Sequence, residues 1–399
     1  MKRLNVKLPL LVIASIAAAI MLLPVSGFSA VEIPACDPPG DPIIWGAGNP
    51  GAMDGAGYCK NQIDFVYLQG NWSGQPPNTS LRGSTLRSEL AANYPAPDRF
   101  EYGSAGDQYN ERQYLLLYRS LNQAKSPILV YIHGGSWQSG SAENSVTGAD
   151  MFMEAGAHYI PLNFVNVTQT TNMSIMAMAN QIRKAIVWVY NNAESFNGDK
   201  NKIYISGHSS GGHLCGAMMT TDWASLGVPA NVIKGGLCSS GMYDLTPVSL
   251  SYRNTFVDFA LDDTVNKLSA IKNLQYLVSP IHIIYGTGDT PEFQRQSRDF
   301  VTAAEAAGKK VTHRVGYGYD HFELPETMGN PYGVLGRAAL EMMDLQPSKY
   351  GKRDCKCLES SLARFNDGSC ITKANGQPLF PAICAARQAE LKACTDSCK

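Results

Sequence analysis

From Tyr114 onward, short apolar, β-branched runs alternate with longer stretches in which apolar residues return at helical spacing. The runs at 114–118, 128–132, 158–165, 203–206, 233–238, 281–285 and 311–315 read as strands. Between them, residues 173–192 carry Met176, Ala179, Ile182, Ile186, Val189 and Tyr190 at helical spacing, and 292–307 repeat the pattern. The methionines there are adaptable core filler, not a cofactor box. Strands that alternate with helices specify an α/β fold, here a doubly wound, mostly parallel sheet. In such sheets ligands sit in the loops at the carboxyl ends of the strands, so the chemistry belongs there.

The pattern fails on either side of this core. Residues 31–110 are rich in Gly, Pro, Asn and Ser, with turn signals at Asp37-Pro38-Pro39-Gly40 and Gln75-Pro76-Pro77-Asn78. They read as an irregular extension laid against the core, able to wall or cover a cleft. Residues 1–30 begin with Lys2, Arg3 and Lys7, continue through an apolar stretch from Leu8 to Leu23, and end in Ser26-Gly27 and Ser29-Ala30. Those are the three parts of a signal peptide. Pro9 and Pro24 interrupt the stretch, which falls short of the roughly 20 residues that span a bilayer, so no stable span remains once it is removed.

The chain has 10 cysteines, an even count that agrees with export to an oxidising compartment, either secreted or periplasmic. Cys36 and Cys59 flank a Gly/Pro-rich segment that they would close as a loop, and Cys215 and Cys238 are placed to meet beneath the motif at 207–211. The others, Cys355, Cys357, Cys370, Cys384, Cys394 and Cys398, crowd a short tail that buries little core without cross-links. Nearby histidines are lacking, so the tail reads as disulfide-stapled and no metal is expected; its pairing is not decided by sequence. The organisation is therefore a signal peptide at 1–30, an N-terminal extension at 31–110, an α/β domain at 111–347 and a cysteine-rich tail at 348–399. With 399 residues and 44% hydrophobic content the chain can bury one large core with appendages, and a formal charge of −1 argues against nucleic acid as a partner.

Gly207-His208-Ser209-Ser210-Gly211 follows the apolar run at 203–206 directly. A strand that turns abruptly into a helix lifts a serine out of the sheet in a strained conformation, and glycines on either side remove side chains that would collide. Ser209 is the candidate nucleophile. His133-Gly134-Gly135-Ser136-Trp137 stands behind the run at 128–132, and backbone N–H groups in such a turn can face a developing oxyanion. The donors read from the pattern are Gly135, Ser136 and Ser210.

A serine hydroxyl needs a base, and the base needs a third group to hold its tautomer. In the chain order Ser, acid, His, the candidates are Asp289, after the strand at 281–285, and His321, after the strand at 311–315. Glu292 and Asp320 are rival acids; Asp320, adjacent to the histidine, cannot easily face its ring edge. His158, His282 and His313 lie in strands and read as structural, whereas His133 and His208 flank the site and brace its loops.

Four separated segments resemble the arylformamidase and carboxylesterase branch of the α/β-hydrolases: 133–137, 207–214, the loop Ser240-Gly241-Met242-Tyr243-Asp244-Leu245, and Asp289-Thr290-Pro291-Glu292-Phe293 with Asp320-His321-Phe322. The resemblance spans roughly residues 110–345 and implies an α/β-hydrolase fold with nucleophile Ser209, acid Asp289 and base His321. It also implies that Trp137 and Tyr243 line the acyl or leaving-group pocket. The expected chemistry is hydrolysis of a small-molecule or polymeric carboxylic ester through an acyl-enzyme, with no cofactor. The same residues would cleave a formamide or other amide, and the motifs do not separate the two. A reading from another class is a binding protein that works through its cysteine-rich tail.

Overall fold

The computed structural model describes residues 35, 60–67, 87–88, 90–122, 125–331, 333–346 and 392. The expected signal peptide and nearly all of the cysteine-rich tail lie outside the described residues, as does the Cys36–Cys59 loop. Each run read as a strand forms one, and the strands make a single sheet in the order β1-β2-β4-β3-β5-β6-β7-β8. These are β1 (Asp98–Glu101), β2 (Tyr114–Leu117), β3 (Ser126–Ile132), β4 (His158–Asn163), β5 (Gly198–His208), β6 (Ile233–Ser239), β7 (Ile281–Gly288) and β8 (Val311–Asp320). From β4 to β8 neighbouring strands are parallel; β2 joins β4, and β1 joins β2, antiparallel.

Within residues 31–110, read as irregular throughout, the structure differs in two places. β1 is a strand of the sheet, and Lys60–Tyr67 forms a helix, α1. Asp-Arg-Phe-Glu has one apolar residue, so its alternation is too polar to recognise. Phe100 supplies the anchor by packing on Trp188 and Phe196, with ring centroids 5.3 and 6.4 Å away.

The central strands are apolar on both faces because helices cover both. Ile128, Val130 and Ile132 face one buried layer, which includes Ile182 of α2 (Ile175–Asn192), Leu214 of α3 (Ser210–Met219) and Phe293 and Phe300 of α4 (Pro291–Ala306). Leu129, Tyr159, Leu237 and Ile284 face the other, with Leu335 and Leu340 of α5 (Val334–Met342). Local signals start the helices. Ser174 caps α2 by accepting from Ala177 N at 3.1 Å, and Thr290 followed by Pro291 opens α4. Every residue of α3 is buried. Cys215 on α3 is disulfide-bonded to Cys238 on β6, closing 23 residues of sequence and contributing about 3 kcal/mol by the chain-entropy account.

Candidate active site

Sheet register places the reacting groups. Ile132 pairs with Gly207 and His208 with Ser239, so the glycine turn after β3 and Ser209 after β5 leave the same edge together. On the far side Gly288 pairs with Asp320, and Asp289 and His321 are each the next residue of their strand. Adjacent parallel strands thus deliver acid and base side by side.

Ser209 has φ 62° and ψ −126°, a left-handed conformation that costs a non-glycine residue of order 1–3 kcal/mol. The turn closes only because its neighbours lack side chains. A Cβ on Gly207 would stand 2.3 Å from Gly211 O, and one on Gly211 would stand 2.2 Å from Ile132 O. Ser209 N donates to Ser239 O at 3.1 Å, and the half-buried hydroxyl projects from the junction.

Ser209 Oγ lies 2.9 Å from His321 Nε2, and His321 Nδ1 lies 2.8 Å from Asp289 Oδ1. With Nδ1–H donated to the carboxylate, Nε2 is the free base that faces the hydroxyl. Thr290 N also donates to Asp289 Oδ1, at 2.9 Å. Burial by itself raises the Asp289 carboxyl, but the charge and hydrogen bond of His321 outweigh it and hold the group below the ordinary carboxylate value. Asp289 is ionised at neutral pH and can support an imidazolium.

The rival acids are engaged elsewhere. Glu292 grips Arg295 bidentately, Oε1 to Nε at 2.8 Å and Oε2 to Nη2 at 2.7 Å. Asp320 Oδ1 accepts from Phe322 N and Glu323 N, both at 2.8 Å, which shapes the turn carrying His321.

Gly135 (φ 106°), Ser136 (φ 53°) and Trp137 (φ 62°) are successive left-handed residues, a concave run of main chain that turns N–H groups inward. Gly135 O accepts from Gln138 N and Ser139 N, closing the turn. Trp137 N donates to Ser210 Oγ at 3.1 Å, which ties the turn to the start of α3. Ser210 is the first residue of that helix, so its N–H has no acceptor within the helix and the helix dipole favours negative charge there.

Three other histidines are structural, each neutral for the same reason. His208 donates from Nε2 to His321 O at 2.8 Å, and its Nδ1 meets Ser239 Oγ at 3.1 Å. Burial, and then the adjacent His321, push its pKa down to about 3. His213 accepts from Trp137 Nε1 at 3.2 Å and donates to Leu268 O at 3.1 Å, its pKa pushed down to about 4 by burial. His133 stacks on Phe164 with centroids 4.1 Å apart and is likewise pushed down to about 4 by burial.

Trp137 and Tyr243, the aromatics implied to line a substrate pocket, are core residues at 1% exposure each. The indole N–H is used by His213, and Tyr243 OH donates to Cys238 O at 2.9 Å, so both side chains satisfy their polar ends inside the protein. Support absent from the sequence reading comes from α1. Tyr67 meets Phe293 edge-on at 6.2 Å, Phe293 packs on the His321 ring at 4.8 Å, and Gln296 donates to Tyr67 OH at 2.6 Å. Ile63 and Tyr67, one helical turn apart and both buried, were the available signal.

A mostly parallel sheet, helices on both faces and a serine at the junction of β5 and α3 define an α/β-hydrolase. The solved esterase of Pyrobaculum calidifontis has the same fold, with a TM-score of 0.53 at 16% identity over 67% of this chain and 94% of that one. The family model described as BD-FAE matches residues 116–227. The kynurenine formamidase of Salmo salar is 31% identical over 54% of this chain and 73% of its own length. The esterase LipC of Mycobacterium tuberculosis is 24% identical over 65% of this chain and 70% of its own. The chain belongs to the arylformamidase and carboxylesterase family of α/β-hydrolases. It is a hydrolase of small-molecule substrates. Among the described residues, no helix is long and apolar enough to cross a membrane.

Proposed function

We propose that this chain is an exported serine hydrolase that cleaves carboxylic esters through an acyl-enzyme on Ser209. The observation that carries the reading is the hydrogen-bonded line from Ser209 Oγ through His321 to Asp289. As Oγ bonds to the substrate carbonyl carbon, its proton passes to His321 Nε2, and Asp289 stabilises the imidazolium. The carbonyl oxygen, now negative, takes hydrogen bonds from the N–H groups of Gly135, Ser136 and Ser210, each donor worth on the order of 3 kcal/mol. His321 then returns the proton to the leaving oxygen as the C–O bond breaks. Water repeats the sequence and frees the acid.

A formamide substrate is the second reading, favoured by the likeness to kynurenine formamidase. The atoms and order of steps are the same, except that the proton goes to a leaving nitrogen. Release of p-nitrophenol from a short-chain ester and of formate from an aryl formamide, measured on one preparation, separates the two. A fluorophosphonate should label the wild type and leave Ser209→Ala unlabelled. A wild type that stays unlabelled and hydrolyses neither substrate would favour a binding protein acting through its cysteine-rich tail. Export is supported by the composition of residues 1–30 and by the buried disulfide Cys215–Cys238. Cell fractionation with N-terminal sequencing tests it: a cytoplasmic chain that keeps residues 1–30 would refute it.

A further inference from the structure

In the sheet, β4 and β6 flank the pair β3 and β5, whose carboxyl ends carry the glycine turn and Ser209. The loops that leave β4 and β6 meet above that pair, where Asp258 N donates to Met173 O at 3.2 Å. A cavity of about 490 Å³ opens between these two loops, walled by Met173, Val257, Phe259, Ala260 and Val265 with Ser249 at one side. Phe259 meets Trp137 edge-on, ring centroids 6.4 Å apart, and Trp137 is the residue that follows the Gly135-Ser136 turn. The cavity is therefore one ring removed from the proposed oxyanion donors, and its size is that of a site for a substituent well beyond a methyl group.

We infer that this cavity receives the acyl group of the substrate, and that the substrate class is esters of bulky apolar acids. The inference rests on the ester reading above. His321 must reach the leaving oxygen with Nε2, which keeps the alcohol portion on the side of β7 and β8. The acyl substituent then extends the opposite way, over β5 and β3 toward Phe259. Its walls are mainly apolar, and Met173, 41% exposed, forms the lip. A formyl group would occupy none of this volume, so the cavity also distinguishes the ester reading from the formamide one.

Filling the cavity tests the assignment. Val265→Trp narrows it from within, and Ala260→Trp does so from an exposed wall where folding is least at risk. In each variant the kcat/KM ratio for p-nitrophenyl octanoate over p-nitrophenyl acetate should fall by about tenfold or more. An unchanged ratio in folded variants, or equal loss on both esters, overturns the subsite. A wild type that hydrolyses no ester refutes the ester reading instead, and the cavity is then judged by binding. Octanoic acid should raise the melting temperature of the wild type but not of Val265→Trp, and no shift in the wild type overturns the subsite.

Discussion

The nucleophile half of the site and its acid–base half are held by different parts of the chain. Ser209 is positioned by main chain: paired strands at Ile132–Gly207 and His208–Ser239, a left-handed φ, and glycines whose missing Cβ atoms leave room for carbonyl oxygens. Asp289 and His321 start from a shared register but are then held by side chains: Thr290, Phe293, His208, and through Gln296 the distant Tyr67. A half built from backbone tolerates no added atoms. One built from side chains tolerates reshaping but not the loss of a buried polar partner.

The largest effect should fall on activity at Ser209. Replacement by Ala or by Gly removes the hydroxyl that faces His321, and kcat should drop by about 10⁴-fold or more in both. Their stabilities should differ. Gly relieves the φ of 62° that Ala retains, so Ser209→Gly should resist urea better than Ser209→Ala by about 1 kcal/mol. Equal urea midpoints would mean the junction stores no strain, and the main-chain half would lose its distinguishing feature. Gly211→Ala sharpens the same point. Its Cβ would meet Ile132 O at 2.2 Å and the His133 backbone at 2.7 Å, neither of which can swing away, and the loss of stability should exceed about 4 kcal/mol. A folded, active Gly211→Ala would show that the two halves are equally plastic.

Acid should weaken the nucleophile half first. His133, His208 and His213 are neutral when folded, with values near 4, 3 and 4, below the value of about 6.5 for a free histidine. Between those limits the unfolded chain binds the extra protons, so stability is intact above about pH 6.5 and declines as pH falls toward 4. Each histidine contributes up to about 1.4 kcal/mol per pH unit across that window. Urea titrations at pH 7.5, 6 and 5 measure the decline. His213→Gln, whose side chain does not titrate, should flatten it, and an unchanged slope would remove His213 from the account.

The same division decides what could be read from the chain. Gly207-His208-Ser209-Ser210-Gly211 and His133-Gly134-Gly135-Ser136-Trp137 are legible because main-chain geometry is local, and the residues that permit it are neighbours in sequence. Asp289 and His321 were legible from chain order, since each ends a strand. Why Asp289 and not Glu292 meets His321 is a matter of partners, and Arg295 becomes visible as the competitor for Glu292 only once helix α4 has formed. Trp137 and Tyr243 show the limit in the other direction. An aromatic beside a catalytic turn looks the same in sequence whether it contacts substrate or core, and only the satisfied indole and phenol identify these two as core. The cavity above β3 and β5 was not legible, because its walls come from two loops joined by one backbone hydrogen bond.

The smallest effect bears most directly on the acid–base half. Tyr67 is separated from Gln296 by 229 residues, and its hydroxyl accepts the Gln296 amide at 2.6 Å while Gln296 Oε1 accepts from Asp244 N at 2.8 Å. Tyr67→Phe keeps the ring that packs on Phe293 and removes only the acceptor, stranding a buried N–H₂ at a cost of about 1–2 kcal/mol. Gln296 then holds the 240–245 loop at one end alone, and Phe293, one turn earlier on α4, loses nothing. The variant should therefore unfold at lower urea while kcat changes by less than about threefold. A larger fall in kcat with unchanged stability would mean that Tyr67 acts on the His321 ring through Phe293, and that the N-terminal segment sets the geometry of the base as well as supporting it. No change in either quantity would mean that α1 contributes packing alone, and the acid–base half would then rest on β7, β8 and α4 without help from residues before the sheet.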